Sequence, residues 1–280
     1  MKLLIHGGFF SESSQSTETK IAKQQAMERI ITLAYDYLRS HTAKETVVYA
    51  VKLLEDDTLF NAGIGSQIQR DGVIRMSASL MDGKSKKFSG VINIQEVKNP
   101  IDIANLLQNV DDRVLGGDGA NAFAYDQGTS KFSTEIPQRR IEYEEKVAAN
   151  GVGTVGCVAL DIHGNLAAAT STGGKGFEIP GRISDSATVA GNYANDDCAV
   201  SCTGVGEDIV SAAIATKIVT RVTDGMTINN AFQKSFNELA EFDGFAGAIG
   251  IDKSGNMFWQ ESHPKIVFAA YDGTNLTVFQ

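Results

Sequence analysis

Two rhythms of apolar and polar positions divide the chain. In the first half, Met27, Ile30, Ile31, Ala34 and Leu38 recur at helical spacing and predict a helix over 18–40. A second helix is predicted from Thr42, where Thr42-Ala43-Lys44-Glu45 has the form of a capping box. Val47, Val48, Val51 and Leu54 form its apolar face, and Glu55-Asp56-Asp57 reads as its solvated end. Lys2 to Ile5 reads as a short buried strand closed by a glycine turn at His6-Gly7-Gly8. Strands are predicted around 73–80 and 88–95, a helix from Asn99-Pro100, and another over 119–127.

Residues 133–150 are strongly charged and nearly free of large apolar side chains, which predicts a linker or an exposed, mobile helix. Beyond them the rhythm shortens. Thr154 to Leu160 is an apolar strand, 161–165 a tight turn, and Leu166 to Thr170 the returning strand. The pattern repeats at 248–259 and again from Phe268 to Phe279, with its turn at Asp272-Gly273. These are hairpins rather than parallel crossovers. Helices over 207–222 and 227–240 lie between them. Strands, helices and strands in that order predict an α+β fold of antiparallel sheets between helical layers, in one domain.

Composition narrows the function. The chain has 280 residues, 42% hydrophobic and 21% charged, and its net charge of −9 argues against a nucleic acid or an anionic membrane as partner. No stretch approaches the ~18 apolar residues of a membrane span, and the N-terminal apolar run is too short for a signal peptide. Cys157, Cys198 and Cys202 form no CxxC pair, so a reducing cytoplasm is the expected location. Four scattered histidines argue against a His-rich metal site.

One motif invites a wrong assignment. Gly151-Val152-Gly153-Thr154-Val155-Gly156 matches the glycine pattern of dinucleotide-binding loops. Such a loop needs a strand before it and a helix after it, whereas here a charged linker precedes and a strand follows, so phosphate would meet no helix N-terminus. A glycine-rich hinge is the simpler reading. The same residues allow a third: a threonine after flexible glycines at a linker-to-strand junction. A strained Gly153–Thr154 bond could be attacked by the Thr154 hydroxyl, and hydrolysis of the ester would free the Thr154 amine. With a reference pKa near ~8, that amine could act as general base for its own hydroxyl.

The surroundings favour the third reading. Thr154-Val155-Gly156, Thr170-Ser171-Thr172-Gly173-Gly174, Gly181-Arg182-Ile183-Ser184-Asp185-Ser186 and Cys202-Thr203-Gly204-Val205-Gly206-Glu207 follow in order. Upstream lie His6-Gly7-Gly8, Phe60-Asn61-Ala62-Gly63-Ile64-Gly65 and Ala78-Ser79-Leu80-Met81-Asp82-Gly83. Over nearly its whole length the chain resembles the plant-type asparaginase/isoaspartyl peptidase family of N-terminal-nucleophile hydrolases. The resemblance implies a four-layer αββα sandwich, self-cleavage into 1–153 and 154–280, and a homodimer of processed heterodimers. It makes Thr154 the nucleophile, Thr172 its activating hydroxyl, and Asn61 a close neighbour. Arg182 would hold the substrate α-carboxylate and Asp185 its α-ammonium, with Gly206 beside them. Thr203 and the Gly204 N–H would form the oxyanion hole. No cofactor is implied for the chemistry. A structural sodium ion would sit on main-chain oxygens of Leu54, Glu55, Asp57, Phe60, Ala62 and Ile64. The implied substrate is a small molecule or dipeptide: asparagine or a β-aspartyl peptide.

Each residue alone has a plainer reading. Arg182 and Asp185 could be a surface i, i+3 ion pair, Thr172 and Thr203 ordinary strand threonines, and Asn61 a turn residue. Physics supports the joint reading, because a zwitterion needs a cation and an anion held close together, and arginine offers a carboxylate two parallel donors. The chain departs from the family at Ser184, where glycine is usual, and at Ala187, where proline is usual. The segment 187–193 is one residue short, and Phe9-Phe10 follows the first glycines. These departures bear on substrate preference. The alternatives are a glycosylasparaginase, for which an Asp before the threonine would be expected, and an unprocessed, non-catalytic relative.

Overall fold

The computed structural model describes residues 1–10, 16–145, 153–263 and 265–280. Its strands form two sheets. Strand β1 (Lys2–Phe9) is an interior strand of the larger one, between β11 (Ile266–Tyr271) and β5 (Val155–Leu160). Beyond β5 follow β6 (Leu166–Thr172), β2 (Met76–Asp82), β3 (Lys87–Ile94) and the short β4 (Val114–Gly116); β12 (Leu276–Val278) pairs with β11 at the other edge. All neighbours are antiparallel except β3 and β4. The smaller sheet runs β10 (Met257–Glu261), β9 (Ala246–Asp252), β8 (Cys198–Gly204), β7 (Asn192–Ala194).

The helices α1 (Thr17–Leu38) and α2 (Ala43–Glu55) cover the outer face of the larger sheet, α3 (Pro100–Leu106) joins them over β2 and β3, and α4 (Gly117–Asp126) packs on β3 and β4. β8 and β9 face β1, β5 and β6 across the interior. On the far side, α7 (Ile214–Thr223) and α8 (Ile228–Ala240) pack on the smaller sheet. This is the expected αββα sandwich. The apolar stripe of α1 is buried as its spacing predicts, from Met27 to Leu38. The capping box of α2 is complete: Thr42 accepts from the Glu45 N–H, and the Glu45 carboxylate accepts from the Thr42 N–H.

Three local expectations change, and that of an exposed helix in the charged segment is met. The glycine turn at 6–8 is instead the end of β1, which runs to Phe9 with a register shift between His6 and Phe9. The helix expected over 207–222 is two, α6 (Gly206–Ala212) and α7, broken at Ala213 with φ of 51°. There the Ala215 N–H turns away to the carbonyl of Ala190. The expected linker carries α5 (Pro137–Glu144), an exposed helix with no buried side chain. It is moored by Arg139 to the Gly65 carbonyl (2.8 Å) and by Tyr143 to the Arg70 carbonyl (3.1 Å); residues 146–152 of that segment lie outside the described residues. Finally, Glu55 is not solvated. Its side chain is fully buried and takes the Ser171 hydroxyl (2.6 Å) and the Ile101 N–H (3.1 Å), while burial pushes its pKa up to about 8.

Candidate active site

The hairpin register builds the site. Val155 pairs with Ser171 in the antiparallel β5–β6 ladder, which places Thr154 beside Thr172. Their hydroxyls lie 3.2 Å apart, Thr154 donating. The Gly174 N–H donates to Thr172 Oγ1 at 3.2 Å and fixes that hydroxyl. The Ser186 hydroxyl lies 3.4 Å from Thr154 Oγ1.

Asn61 braces the same corner. Its carbonyl accepts from Gly173 (2.9 Å), its Oδ1 from Gln67 (3.1 Å), and its Nδ2 donates to the Gly174 carbonyl (2.5 Å). Gly153 packs directly on it: a Cβ at 153 would stand 2.8 Å from the Asn61 Cβ. The residue before the candidate nucleophile is therefore a glycine for want of space.

His6 holds the threonine from behind. It is wholly buried on β1, and burial drives its pKa down to about 3, so the ring is neutral. Nδ1 lies 3.0 Å from the Thr154 carbonyl, an acceptor only, so this nitrogen carries the proton. Nε2 must then accept, and does so from the Ser201 hydroxyl at 2.8 Å. The Thr170 hydroxyl lies 2.7 Å beyond Ser201. This chain ties the larger sheet to the smaller one directly behind Thr154. His6, Ser186 and Ser201 had no role in the sequence reading. A histidine directly after the apolar run Leu3-Leu4-Ile5, in a strand read as buried, is the signal that could have found the first.

Across a small cavity of about 20 Å³, with room for about one water, lie Arg182, Ser184, Asp185, Gly204 and Gly206; Gly153, Thr154, Thr172, Gly174 and Lys175 complete its lining. Arg182 and Asp185 do not form the surface pair their spacing suggests. The Arg182 Nε–H and Nη2–H donate instead to the two Glu207 oxygens, both at 2.7 Å. That bidentate bond holds the Glu207 carboxyl down at about 2. Asp185 is buried, which raises its pKa to about 7, and its Oδ2 has no partner. Gly206 lies between the two: a Cβ there would be 3.0 Å from Asp185 Oδ1 and 3.2 Å from Arg182 Nη2. The Thr203 hydroxyl, at the end of β8, is also buried without a partner. Gly204 beside it has φ of 141°, and a Cβ there would strike the Phe245 carbonyl at 2.5 Å. Thus the structure brings Thr154, Thr172, Arg182, Asp185, Gly204 and Gly206 into one cavity, with Asn61 bonded to its Gly174 and Thr203 next to its Gly204 in the chain.

The Leu54–Ile64 segment closes on itself, the Ile64 N–H donating to the Glu55 carbonyl at 2.8 Å. The Asp57 side chain is engaged elsewhere, by Arg29 at 2.6 Å and the Leu59 N–H at 3.0 Å. No cluster of His, Cys, Asp and Glu side chains among the described residues could hold a metal ion. A cation here would depend on backbone carbonyls, the hard oxygen donors that suit an alkali metal. The three cysteines are free and buried. Among the described residues no helix is long and apolar enough to cross a membrane.

Comparison with known proteins gives the family. A family model described as asparaginase matches residues 1–150 and 131–279. The isoaspartyl peptidase/L-asparaginase of Nostoc sp. is 43% identical over 296 residues, covering 98% of this chain and 93% of that protein. The protein of the same name from Synechocystis sp. is 42% identical over 292 residues, covering 98% and 88%. The isoaspartyl peptidase of Escherichia coli is 36% identical over 281 residues, covering 91% and 88%. With matches that run from end to end, the chain belongs to the asparaginase family.

Proposed function

We propose that this chain is an amidohydrolase that cleaves itself between Gly153 and Thr154 and then releases aspartate from L-asparagine and β-aspartyl dipeptides. The observation that carries the reading is that Thr154, Arg182 and the buried Asp185 line one cavity. Cleavage would free the Thr154 amine to serve as base, so the chemistry asks for no cofactor. Gly153 lines the cavity in the continuous chain, and its departure would enlarge a space now too small for an amino acid.

Arg182 then receives the α-carboxylate and Asp185 the α-ammonium of an aspartyl unit. The side-chain carbonyl faces Thr154, and the Thr203 hydroxyl and Gly204 N–H meet its developing oxyanion. Thr172 and Asn61 position the nucleophile's corner. An α-linked peptide has its α-carboxyl group consumed in the bond, so it presents Arg182 with no ion. We further propose that main-chain oxygens of Leu54, Glu55, Asp57, Phe60, Ala62 and Ile64 hold a structural sodium ion; sodium would then raise the melting temperature where tetramethylammonium does not. A homodimer of processed heterodimers is supported by exposed Ile179, Ile183 and Val189 on the loop that carries Arg182. A cytoplasmic setting is supported by three buried free thiols.

The test is a denaturing gel with an amino-acid-release assay on isoAsp-Leu, Asp-Leu and asparagine. The wild type gives fragments 1–153 and 154–280, the second beginning Thr-Val-Gly-Cys, and cleaves isoAsp-Leu and asparagine. Thr154→Ala gives one chain and no release. Equal cleavage of Asp-Leu and isoAsp-Leu would overturn the two-ended grip; release from glycosylated asparagine alone would replace this function with that of a glycosylasparaginase.

A further inference from the structure

A β-aspartyl dipeptide differs from asparagine in its leaving group. Asparagine loses ammonia, whereas the dipeptide loses an amino acid with its own α-carboxylate, roughly 2.5 Å beyond the departing nitrogen. Arg182 and Asp185 grip only the aspartyl unit. A second anion arriving at this mouth meets unfavourable company. Glu207 stands in front of Arg182, and Asp185 and Glu178 both add negative potential to the same guanidinium.

Lys175 offsets that field. Its backbone is fixed at the nucleophile's corner, because Gly174 before it donates to Thr172 Oγ1 and accepts from Asn61, while its own N–H donates to Glu178 Oε1 at 3.3 Å. Lys175 is among the residues that line the Thr154 cavity, and its side chain is 56% exposed. Its ammonium lies 4.0 Å from Glu207 Oε1, at the limit of an ion pair, and both Glu207 oxygens are already occupied by Arg182 at 2.7 Å. Lys175 is therefore a rim cation only weakly committed to a protein partner, on a flexible stem of four methylenes.

We propose that Lys175 receives the α-carboxylate of the departing amino acid and so biases the enzyme toward β-aspartyl dipeptides over asparagine. The proposal rests on the two-ended reading of Arg182 and Asp185. Because the contact is exposed, its effect is modest and screened by salt.

The experiment compares kcat/KM for isoAsp-Leu, its C-terminal amide isoAsp-Leu-NH2, and L-asparagine in the wild type, Lys175→Met and Lys175→Arg. Methionine keeps the apolar stem and removes the charge. The ratio of isoAsp-Leu to asparagine should fall about fivefold in Lys175→Met, recover in Lys175→Arg, and shrink in the wild type as salt rises; about 1 kcal/mol corresponds to that factor. The ratio of the amide to asparagine should not move, since the amide brings no second anion. Parallel changes on all three substrates, or an unchanged isoAsp-Leu ratio, would overturn the proposal while leaving the proposed function standing. A processed wild type that hydrolyses none of the three would overturn the function, and the proposal with it.

Discussion

The two sides of the Thr154 cavity are built on different terms. On the nucleophile's side, carried by β1, β5 and β6, the three polar residues braced around Thr154 all find partners. Both ring nitrogens of His6 are bonded, Asn61 uses its carbonyl and both side-chain polar atoms, and Thr172 Oγ1 takes two donors. On the opposite side, at the end of β8 and in the 181–186 loop, Thr203 Oγ1 and Asp185 Oδ2 are buried and unpartnered. An orphaned buried polar atom costs about 1–3 kcal/mol. Such a cost is retained where a ligand supplies the missing partner. On the proposed function, His6, Asn61 and Thr172 are in place before substrate arrives, and the orphaned oxygens opposite are completed by it.

The largest expected effect tests that contrast directly. Thr203→Val should lower kcat by about 10²–10³, the usual consequence of losing one oxyanion donor, with no loss of thermal stability, because the variant removes a hydroxyl that had no partner. Thr172→Val should lower activity and also the melting temperature, since the Gly174 N–H loses its acceptor, a cost of about 1–3 kcal/mol. Melting temperatures are best compared in a Thr154→Ala background, where every chain stays uncut. Equal destabilisation by the two valines would erase the distinction between the sides.

The substrate side can be divided further. Arg182→Ala should raise KM for asparagine on the order of tenfold to a hundredfold, the equivalent of a lost charge-assisted bidentate contact, while self-cleavage continues. Glu207→Gln keeps the arginine but weakens the fork that aims it, so KM should rise only about threefold to fivefold. Steady-state kinetics with a gel for processing checks both. A Glu207→Gln effect as large as that of Arg182→Ala would mean that Glu207 touches substrate itself.

What could be read from sequence follows the range of the interactions. The α2 capping box spans three residues, and the β5–β6 turn is stapled by Asp161 to the His163 and Asn165 N–H groups; both are legible from neighbours alone. β8 was not expected, because Cys-Ala-Val-Ser-Cys-Thr-Gly is covered on both faces and shows no alternation. The motifs located Arg182 and Asp185, but not the Arg182–Glu207 pair 25 residues apart. His6 meets partners 148 and 195 positions away, and Glu55 meets Ser171 at 116. Only the folded sheet order brings these together, so a helix-end glutamate looked solvated and a strand histidine looked idle.

The effect most specific to the contrast is in the pH dependence of stability. His6 titrates near 6.5 in an unfolded chain but at about 3 in the fold, because burial disfavours the imidazolium. Its contribution is fully present above pH 6.5 and is lost as pH falls toward 3. Asp185 behaves oppositely: burial raises it from 3.8 to about 7, so its contribution is fully present below 3.8 and is lost as pH rises through 7. Each slope is on the order of 1.4 kcal/mol per pH unit. Between pH 4.5 and 6.5 the two oppose each other and largely cancel, with buried Glu55 adding to the Asp185 sense up to its raised value of about 8. Substitution should unmask each side in turn. In the Thr154→Ala background, the stability of the His6→Asn chain relative to its parent should improve as pH is lowered from 6.5 to 4.5. That of the Asp185→Asn chain should improve as pH is raised across the same interval. Denaturant titrations at several pH values measure both. Difference curves that run parallel would show that the two sides do not carry opposite protonation preferences, and the contrast between them would fail at its electrostatic root.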